Sequence, residues 1–429
     1  MRIDEAIREA NRCLYCYNAP CVAGCPAEID IPGFIKAIQT RDFKTGARFV
    51  FEANCLGGTC ARVCSTNDLC EGRCVLNKLE GHPVEIAKLQ RFVTDLAFEN
   101  NWQIFKRGEP IGLKAGIIGA GPAGIACAVE LSQLGWDVTI FESRERPGGL
   151  NTYVISPLKI TSSFALKEIK FLKSPGIKIK TGITVGIDIS VEDLLKKYDC
   201  VFIGAGLERK KSLQIPGENS NGVVDAFDFI EMMKFKNYNE IKVGREIVVI
   251  GGGNTALDSA IAARRIGAEV VKVLYRRTEK EMPAFSKTFE QAKLAGIHFH
   301  WLISPIKILV KNEKVTGIKC VKMKLGRVDK SGRPRPIPIE GSEHTMPCDM
   351  VIKGFGQIPL RSFLNAIPEL TINKSGFIEV NPKTGATSIL RLFAGGDCVN
   401  GGKEVVHAVR DGKIAAKGMH SFCMNTIAV

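Results

Sequence analysis

Eight cysteines fall in two tight groups, Cys13-x2-Cys16-x4-Cys21-x3-Cys25-Pro26 and Cys60-x3-Cys64-x5-Cys70-x3-Cys74, and no other feature narrows the possible folds of this chain so far. Thiols at this density either pair with one another or share metal. The opening stretch MRIDEAIREANR is charged and amphipathic, with no apolar core for a secretory signal. The expected compartment is the cytoplasm, where thiols stay reduced and a disulfide framework does not form. A cubane iron–sulfur cluster takes four ligands, usually thiolates; a close run supplies three and a distant cysteine closes the cage. In two-cluster ferredoxins the cysteine before proline ends such a run and ligates the other cluster. Cys25-Pro26 has that form, so the spacing points to two [4Fe–4S] clusters that exchange ligands between the groups. Structural zinc competes with this reading, but zinc usually pairs two Cys-x2-Cys knuckles, and only Cys13 and Cys16 are so spaced.

At 429 residues the chain is too long for one core and implies two or three domains. The cysteines outside the dense region (Cys127, Cys200, Cys320, Cys348, Cys398 and Cys423) stand singly and read as buried spectator thiols. The formal charge of +14 raises nucleic acid as a partner. Residues 1–110 are charge-balanced, however, and the later surplus is spread without a dense basic run, so anionic cofactors and an acidic partner surface account for it. The longest apolar stretch, Ala115 to Val129, is Gly-rich and stops at Glu130, so no membrane span is expected.

Up to about residue 110 the pattern is short helices, such as Ile3–Cys13, Pro32–Arg41 and Val84–Glu99, and cysteine-bearing loops. From Leu113 it changes to strand, glycine turn, helix, strand: LKAGIIGAG, GPAGIACAVELSQLG and DVTIFES make a βαβ unit on a parallel sheet. Here Gly119, Gly121 and Gly124 let backbone approach a pyrophosphate seated on the helix N-terminus, and Glu142, 23 residues after Gly119, is placed for a ribose hydroxyl. Gly148-Gly149-Leu150 supplies another close-approach loop, and the later Gly395-Gly396-Asp397 turn assigns this first site to FAD. The pattern returns as REIVVIGGG, NTALDSAIAARRIG and VVKVLYRR, an internal duplication whose turn carries Gly251, Gly253, Asn254 and Thr255. Where an acid would meet a ribose, this second unit has Leu274 followed by Tyr275, Arg276 and Arg277. Losing the acid and gaining arginines favours a 2′-phosphate, hence NADPH over NADH. The last segment, a strand at LFAGGD and a helix from Val405, is expected to rejoin the first sheet.

Cys13–Cys25, NCLGGTCARVCSTNDLCEGRC, AKLQRF, GAGPAG, GGGNTALD and AGGD together resemble the flavoprotein half of dihydropyrimidine dehydrogenases and the small subunit of NADPH-dependent glutamate synthase, over essentially the whole chain. The resemblance implies an α/β protein: an α-helical two-[4Fe–4S] domain at 1–110, then two Rossmann-like domains of the glutathione-reductase-like type. These are an FAD domain at 111–242 and 351–429 and an NADP domain at 243–350. It implies one cluster on Cys13, Cys16, Cys21 and Cys74, and the other on Cys25, Cys64, Cys70 and Gln90, sixteen residues past Cys74. Cys60 is then not a ligand. It adds Ala123, Lys159, Glu404 and Val405 to the FAD residues. Gln90 leans toward the pyrimidine branch, whereas the Gly326–Asp349 segment and YRRTEKEMPA look more like the glutamate synthase subunit. The sequence departs from the pattern at Ser65, Val154 and Lys353.

The implied chemistry passes electrons from NADPH through FAD and the clusters, and no catalytic acid or base side chain is expected. Residues 111–429 hold no Cys-x-x-Cys for disulfide reduction, and no (β/α)8 domain that could bind FMN and reduce a pyrimidine. Electrons are therefore expected to leave for a partner subunit carrying the catalytic site. A non-catalytic module that senses nucleotide is the remaining alternative.

Overall fold

The computed structural model describes residues 1–172, 176–208, 212–328 and 332–427; three positions of the Gly326–Asp349 segment fall outside these. Residues 1–152, 162–208 and 358–429 form one compact unit, and residues 153–161 and 209–357 a second.

The first unit begins with helices α1 (Ile3–Ala10), α2 (Ile31–Gln39), α3 (Phe43–Ala53), α4 (Gly57–Val63) and α5 (Ile86–Glu99). Two start where the sequence offers an aspartate cap: Asp30 accepts from Gly33 N–H at 2.9 Å and Asp42 from Thr45 N–H at 3.1 Å. Helix α5 turns Ile86, Leu89, Gln90, Val93 and Ala97 inward at three- and four-residue intervals. Cys60 lies on α4, Cys21 on a further short helix, Pro20–Ala23, and the remaining cysteines of this segment on the connections between helices.

The chain then forms β1 (Lys114–Ile118), α6 (Pro122–Gln133), β2 (Asp137–Glu142), α7 (Ser162–Leu172), β3 (Ile177–Thr181) and β4 (Cys200–Ile203). The strands make a parallel sheet in the order β14-β4-β1-β2-β3, which the late strand β14 (Leu392–Ala394) joins beside β4, as the sequence led one to expect. The final helix, which we label α10 (Val405–Ile427), packs along α6. Its Lys413 donates to the carbonyls of Glu52 at 2.8 Å and Ala53 at 3.0 Å, capping the C-terminus of α3 with a cation. Phe51 and Phe98 from the helical segment meet Phe171 on α7 with ring centroids 5.3 and 4.9 Å away. Such aromatic pairs contribute about 0.5–1.5 kcal/mol each beyond their buried area.

The second unit has β5 (Val223–Asp225), α8 (Ala226–Phe235), β6 (Glu246–Ile250), α9 (Asn254–Arg265), β7 (Val270–Tyr275) and β8 (His298–Trp301). A mostly antiparallel excursion follows: β9 (Ile303–Lys311), β10 (Lys314–Val328), β11 (Pro334–Pro338) and β12 (His344–Pro347), before β13 (Met350–Lys353) returns. The parallel order is β5-β13-β6-β7-β8. Here the structure departs from the expected domain limits. Val223–Asp225 pairs with β13, so residues 212–242, placed by the sequence with the first nucleotide module, belong to the second unit.

Candidate cofactor sites

Within the helical segment the cysteines gather into two electrostatically coupled sets. Cys13 feels Cys16 and Cys74, and Cys21 feels Cys13 and Cys74. Cys25 feels Cys60; Cys64 feels Cys60 and Cys70; Cys70 in turn feels Cys25. Cys74 thus stands with the first run and Cys25 with the second, while Cys60, which the resemblance excludes as a ligand, stands inside the second set. Burial, reinforced by Cys13 and Cys74, pushes the Cys21 thiol up to about 11. Clustered thiols kept protonated by burial give up protons to a metal centre, which makes the donor chemistry suited to iron–sulfur binding. Among the described residues no three His, Cys, Asp or Glu side chains converge on a single ion; a cubane instead takes ligands at the corners of a cage. Gln90 is 6% exposed, and its Nε2 donates to the Gly57 carbonyl at 2.7 Å, which leaves Oε1 as the free acceptor of the amide. In the same turn Asn54 is fully buried and its Nδ2 has no hydrogen-bond partner among the described residues.

The first glycine turn lies between β1 and α6. Gly119 has φ +94°, and a Cβ there would come 2.6 Å from the Gly204 carbonyl oxygen. At Gly124 a Cβ would come 2.0 Å from the Gly119 carbonyl, whereas at Gly121 it would meet nothing within 4 Å. Crowded flanks and an open centre make a backbone cradle of the kind a pyrophosphate enters. The buried Glu142 ends β2 with Oε2 accepting from Ala120 N–H at 2.8 Å and Oε1 from Arg144 N–H at 2.9 Å, so the carboxylate is fixed against the turn. Gly148 donates to the Ala120 carbonyl at 2.8 Å, which brings Gly149 and Leu150 over the same turn. From the far end of the chain, Gly396 packs so closely on Ala123 that a Cβ would come within 2.8 Å, placing Asp397 at this site. Burial raises the Asp397 carboxyl above the usual range. Val405 begins α10 there, but the Glu404 side chain is turned elsewhere: its Oε2 accepts from Ser65 N–H at 2.8 Å, next to Cys64.

The second turn repeats the geometry. Gly251 has φ +136° and its added Cβ would come 2.2 Å from the Gly354 carbonyl, while Gly253, capping α9, is open. The Asn254 side chain accepts from Phe285 N–H at 3.0 Å, and Ala284 N–H donates to the Gly252 carbonyl at 3.1 Å, so residues 284–285 strap the turn in place beside Thr255. Two expected residues are corrected here. Arg277 is buried and its Nε donates to the Pro334 carbonyl at 2.8 Å, so it serves the fold; Arg276 is exposed. Lys159, expected with FAD, lies in the second unit, its ammonium 2.8 Å from the Asp258 carboxylate and 3.4 Å from the Thr288 hydroxyl. A motif gives a residue's position in the chain but not the direction its side chain faces.

One residue escaped the sequence altogether. Glu168 on α7 is 1% exposed and receives Thr59 N–H at 3.0 Å and the Thr59 hydroxyl, 109 residues away, so no local pattern could flag it. It caps the start of α4, which carries Cys60. Burial pushes its carboxyl from 4.5 up to about 7, with Thr59 and Arg62 opposing. The folded chain then holds a proton that the unfolded chain has released, so this stabilising contribution is full below pH 4.5 and lost as pH rises through about 7. The loss is on the order of 3 kcal/mol at most. Glu168→Gln should flatten the dependence of Tm on pH between about 5 and 8; a slope unchanged from wild type would refute the assignment.

Two dinucleotide cradles on parallel sheets, joined in one chain to a cysteine-rich helical segment, define a pyridine-nucleotide-dependent flavoprotein oxidoreductase with an iron–sulfur domain. Residues 1–102 match the family model described as dihydropyrimidine dehydrogenase domain II, 4Fe-4S cluster, and residues 114–412 that of pyridine nucleotide-disulphide oxidoreductases. The chain is 33% identical to a glutamate synthase [NADPH] small chain of Azospirillum brasilense, with 98% of this chain and 89% of that protein covered. It is 34% identical to the NAD-dependent dihydropyrimidine dehydrogenase subunit PreT of Salmonella typhimurium (97% and 94% covered). It is also 34% identical to the NADP(+)-dependent formate dehydrogenase subunit beta of Moorella thermoacetica, where 94% of this chain spans only 60% of the relative. The fold resembles Mycobacterium tuberculosis FprA in complex with NADPH (TM-score 0.61, 19% identity, 75% of this chain and 86% of that one). The chain belongs to the pyridine nucleotide-disulphide oxidoreductase family, in the branch with an N-terminal 4Fe-4S domain that includes glutamate synthase small chains. The N-terminal match is to a 4Fe-4S cluster domain and the rest of the match to a pyridine-nucleotide oxidoreductase. Despite the family's name, its nucleotide-binding region has no redox Cys-x-x-Cys.

Proposed function

We propose that this chain is the electron-input subunit of a multi-subunit oxidoreductase, taking electrons from NADPH and delivering them to a catalytic partner subunit. The observation that carries this is the Glu404–Ser65 hydrogen bond of 2.8 Å. It ties the start of the helix beside the first nucleotide cradle to the residue following Cys64, within one unit. When bound, the nicotinamide supplies hydride to FAD and the clusters carry single electrons onward.

The protein's own part is to hold and orient. Gly119, Gly121, Gly124 and Gly149 open the backbone to the FAD pyrophosphate, Glu142 presents a carboxylate to a ribose, and Asp397 approaches over Ala123. Gly251, Gly253, Asn254 and Thr255 would hold NADPH, with Arg276 alone on its 2′-phosphate. Cys13, Cys16, Cys21 and Cys74 would hold one cluster, and Cys25, Cys64, Cys70 and Gln90 the other. In this reading residues 1–110 are the iron–sulfur domain, and the FAD and NADP domains follow.

The partner would carry the substrate site, as an FMN-containing dehydrogenase or a synthase large subunit. Gln90 favours a dihydropyrimidine-dehydrogenase-like partner. The sequence of the YRRTEKEMPA stretch favours a glutamate-synthase-like one. Purified chain should reduce ferricyanide with NADPH and should co-purify with the acceptor subunit. No NADPH-linked dye reduction by flavin-loaded chain would refute electron input and leave a nucleotide-sensing module.

A further inference from the structure

We propose that Cys60 is an alternative ligand of the second cluster, able to close the cage when Gln90 does not. This rests on the reading that Cys25, Cys64, Cys70 and Gln90 hold that cluster. Cys60 is 3% exposed and lies one helical turn before Cys64, whose N–H donates to the Cys60 carbonyl at 3.1 Å, so both thiols leave α4 on the same side. The thiols near enough to act on it electrostatically include those of Cys64 and Cys25. Among the described residues, each of the three cysteines assigned to the second cluster is coupled to another member of a ring in which Cys60 occupies the fourth place.

Gln90 approaches from a different helix and is held through its amide nitrogen to Gly57, three residues before Cys60 on α4. The amide is thus fixed to the first residue of the short helix whose middle residue is Cys60. Cys127, a spectator thiol, meets Met419, whereas Cys60, though packed in the core, has thiols assigned to the cluster within electrostatic reach. Exchange would be redox-neutral: the Cys60 thiol releases its proton to solvent, one sulfur–iron bond forms, and the amide oxygen–iron bond breaks. Replacing a neutral amide by a thiolate adds one negative charge to the cluster's surroundings and lowers its potential.

The test compares anaerobically purified holoprotein with Gln90→Ala, Cys60→Ser and the double variant. Iron and sulfide content, the EPR signals of both clusters and their midpoint potentials are measured. Wild type should carry about eight irons per chain; stoichiometric zinc, or about four irons, would instead overturn the two-cluster reading beneath the proposal. Both single variants should keep about eight irons, with the second cluster's potential lowered in Gln90→Ala and unchanged in Cys60→Ser. The double variant should lose about half its iron while the first cluster's signal persists, which also reports that the chain is folded. Loss of the second cluster in either single variant, or its retention in the double variant, would overturn the proposal.

Discussion

Arg276→Ala should lower kcat/KM for NADPH about 10- to 100-fold and leave NADH almost unchanged, since charge-assisted hydrogen bonds contribute about 1.5–3 kcal/mol. Arg276 is exposed and directly follows Tyr275, the last residue of β7, whose ring lies so close to Gly252 that a Cβ there would come within 2.6 Å of it. Arg277 points into the fold and is held by the Pro334 carbonyl. Arg277→Ala should therefore lower Tm and barely change the NADPH to NADH ratio. Steady-state kinetics with ferricyanide as acceptor checks both. Equal losses for the two nucleotides in Arg276→Ala would remove the phosphate role, and a relative so named as to use NAD makes this a real alternative.

Cys74→Ala should remove about half of the iron, because Cys74 acts electrostatically on Cys13 and Cys21 and, in the proposed reading, closes their cluster. Reduction of ferricyanide by NADPH should survive, since both nucleotide cradles are built without Cys74. Transfer to the physiological acceptor subunit should be lost. Iron analysis with EPR reads the first effect and a coupled assay the second; a full complement of iron would show that Cys74 closes no cage. The same variant separates the two groups, because Cys70→Ala should remove the other cluster's signal.

Much of the fold could be read from period and punctuation. The helix anticipated at Val84–Glu99 is Ile86–Glu99, and the strand of LFAGGD joins the first sheet. Both glycine turns lie between strand and helix, because only such residues allow the crowded backbone approach seen at Gly124 and Gly251. Three things were hidden. Strand β5 is only Val223–Asp225 and is specified by its partner β13, more than a hundred residues away, rather than by its own pattern. Lys159 and Arg277 occupy motif positions but spend their charge and hydrogen bonds on Asp258 and on the Pro334 carbonyl. Glu168 and Glu404 reach Thr59 and Ser65 across the tertiary fold, where sequence neighbours carry no information. Spacing alone offered eight thiols as candidate ligands. In the fold Cys74 acts electrostatically on Cys13 and Cys21, and Cys25 and Cys64 feel Cys60, proximities that spacing alone does not give.

The most direct test of electron input is an anaerobic titration of the purified holoprotein with NADPH, followed by visible absorbance and by EPR of frozen samples. The account predicts that NADPH bleaches the flavin and that cluster EPR signals then develop, with uptake beyond the two electrons a flavin alone accepts. Flavin and cluster signals that stay oxidised under excess NADPH would contradict it.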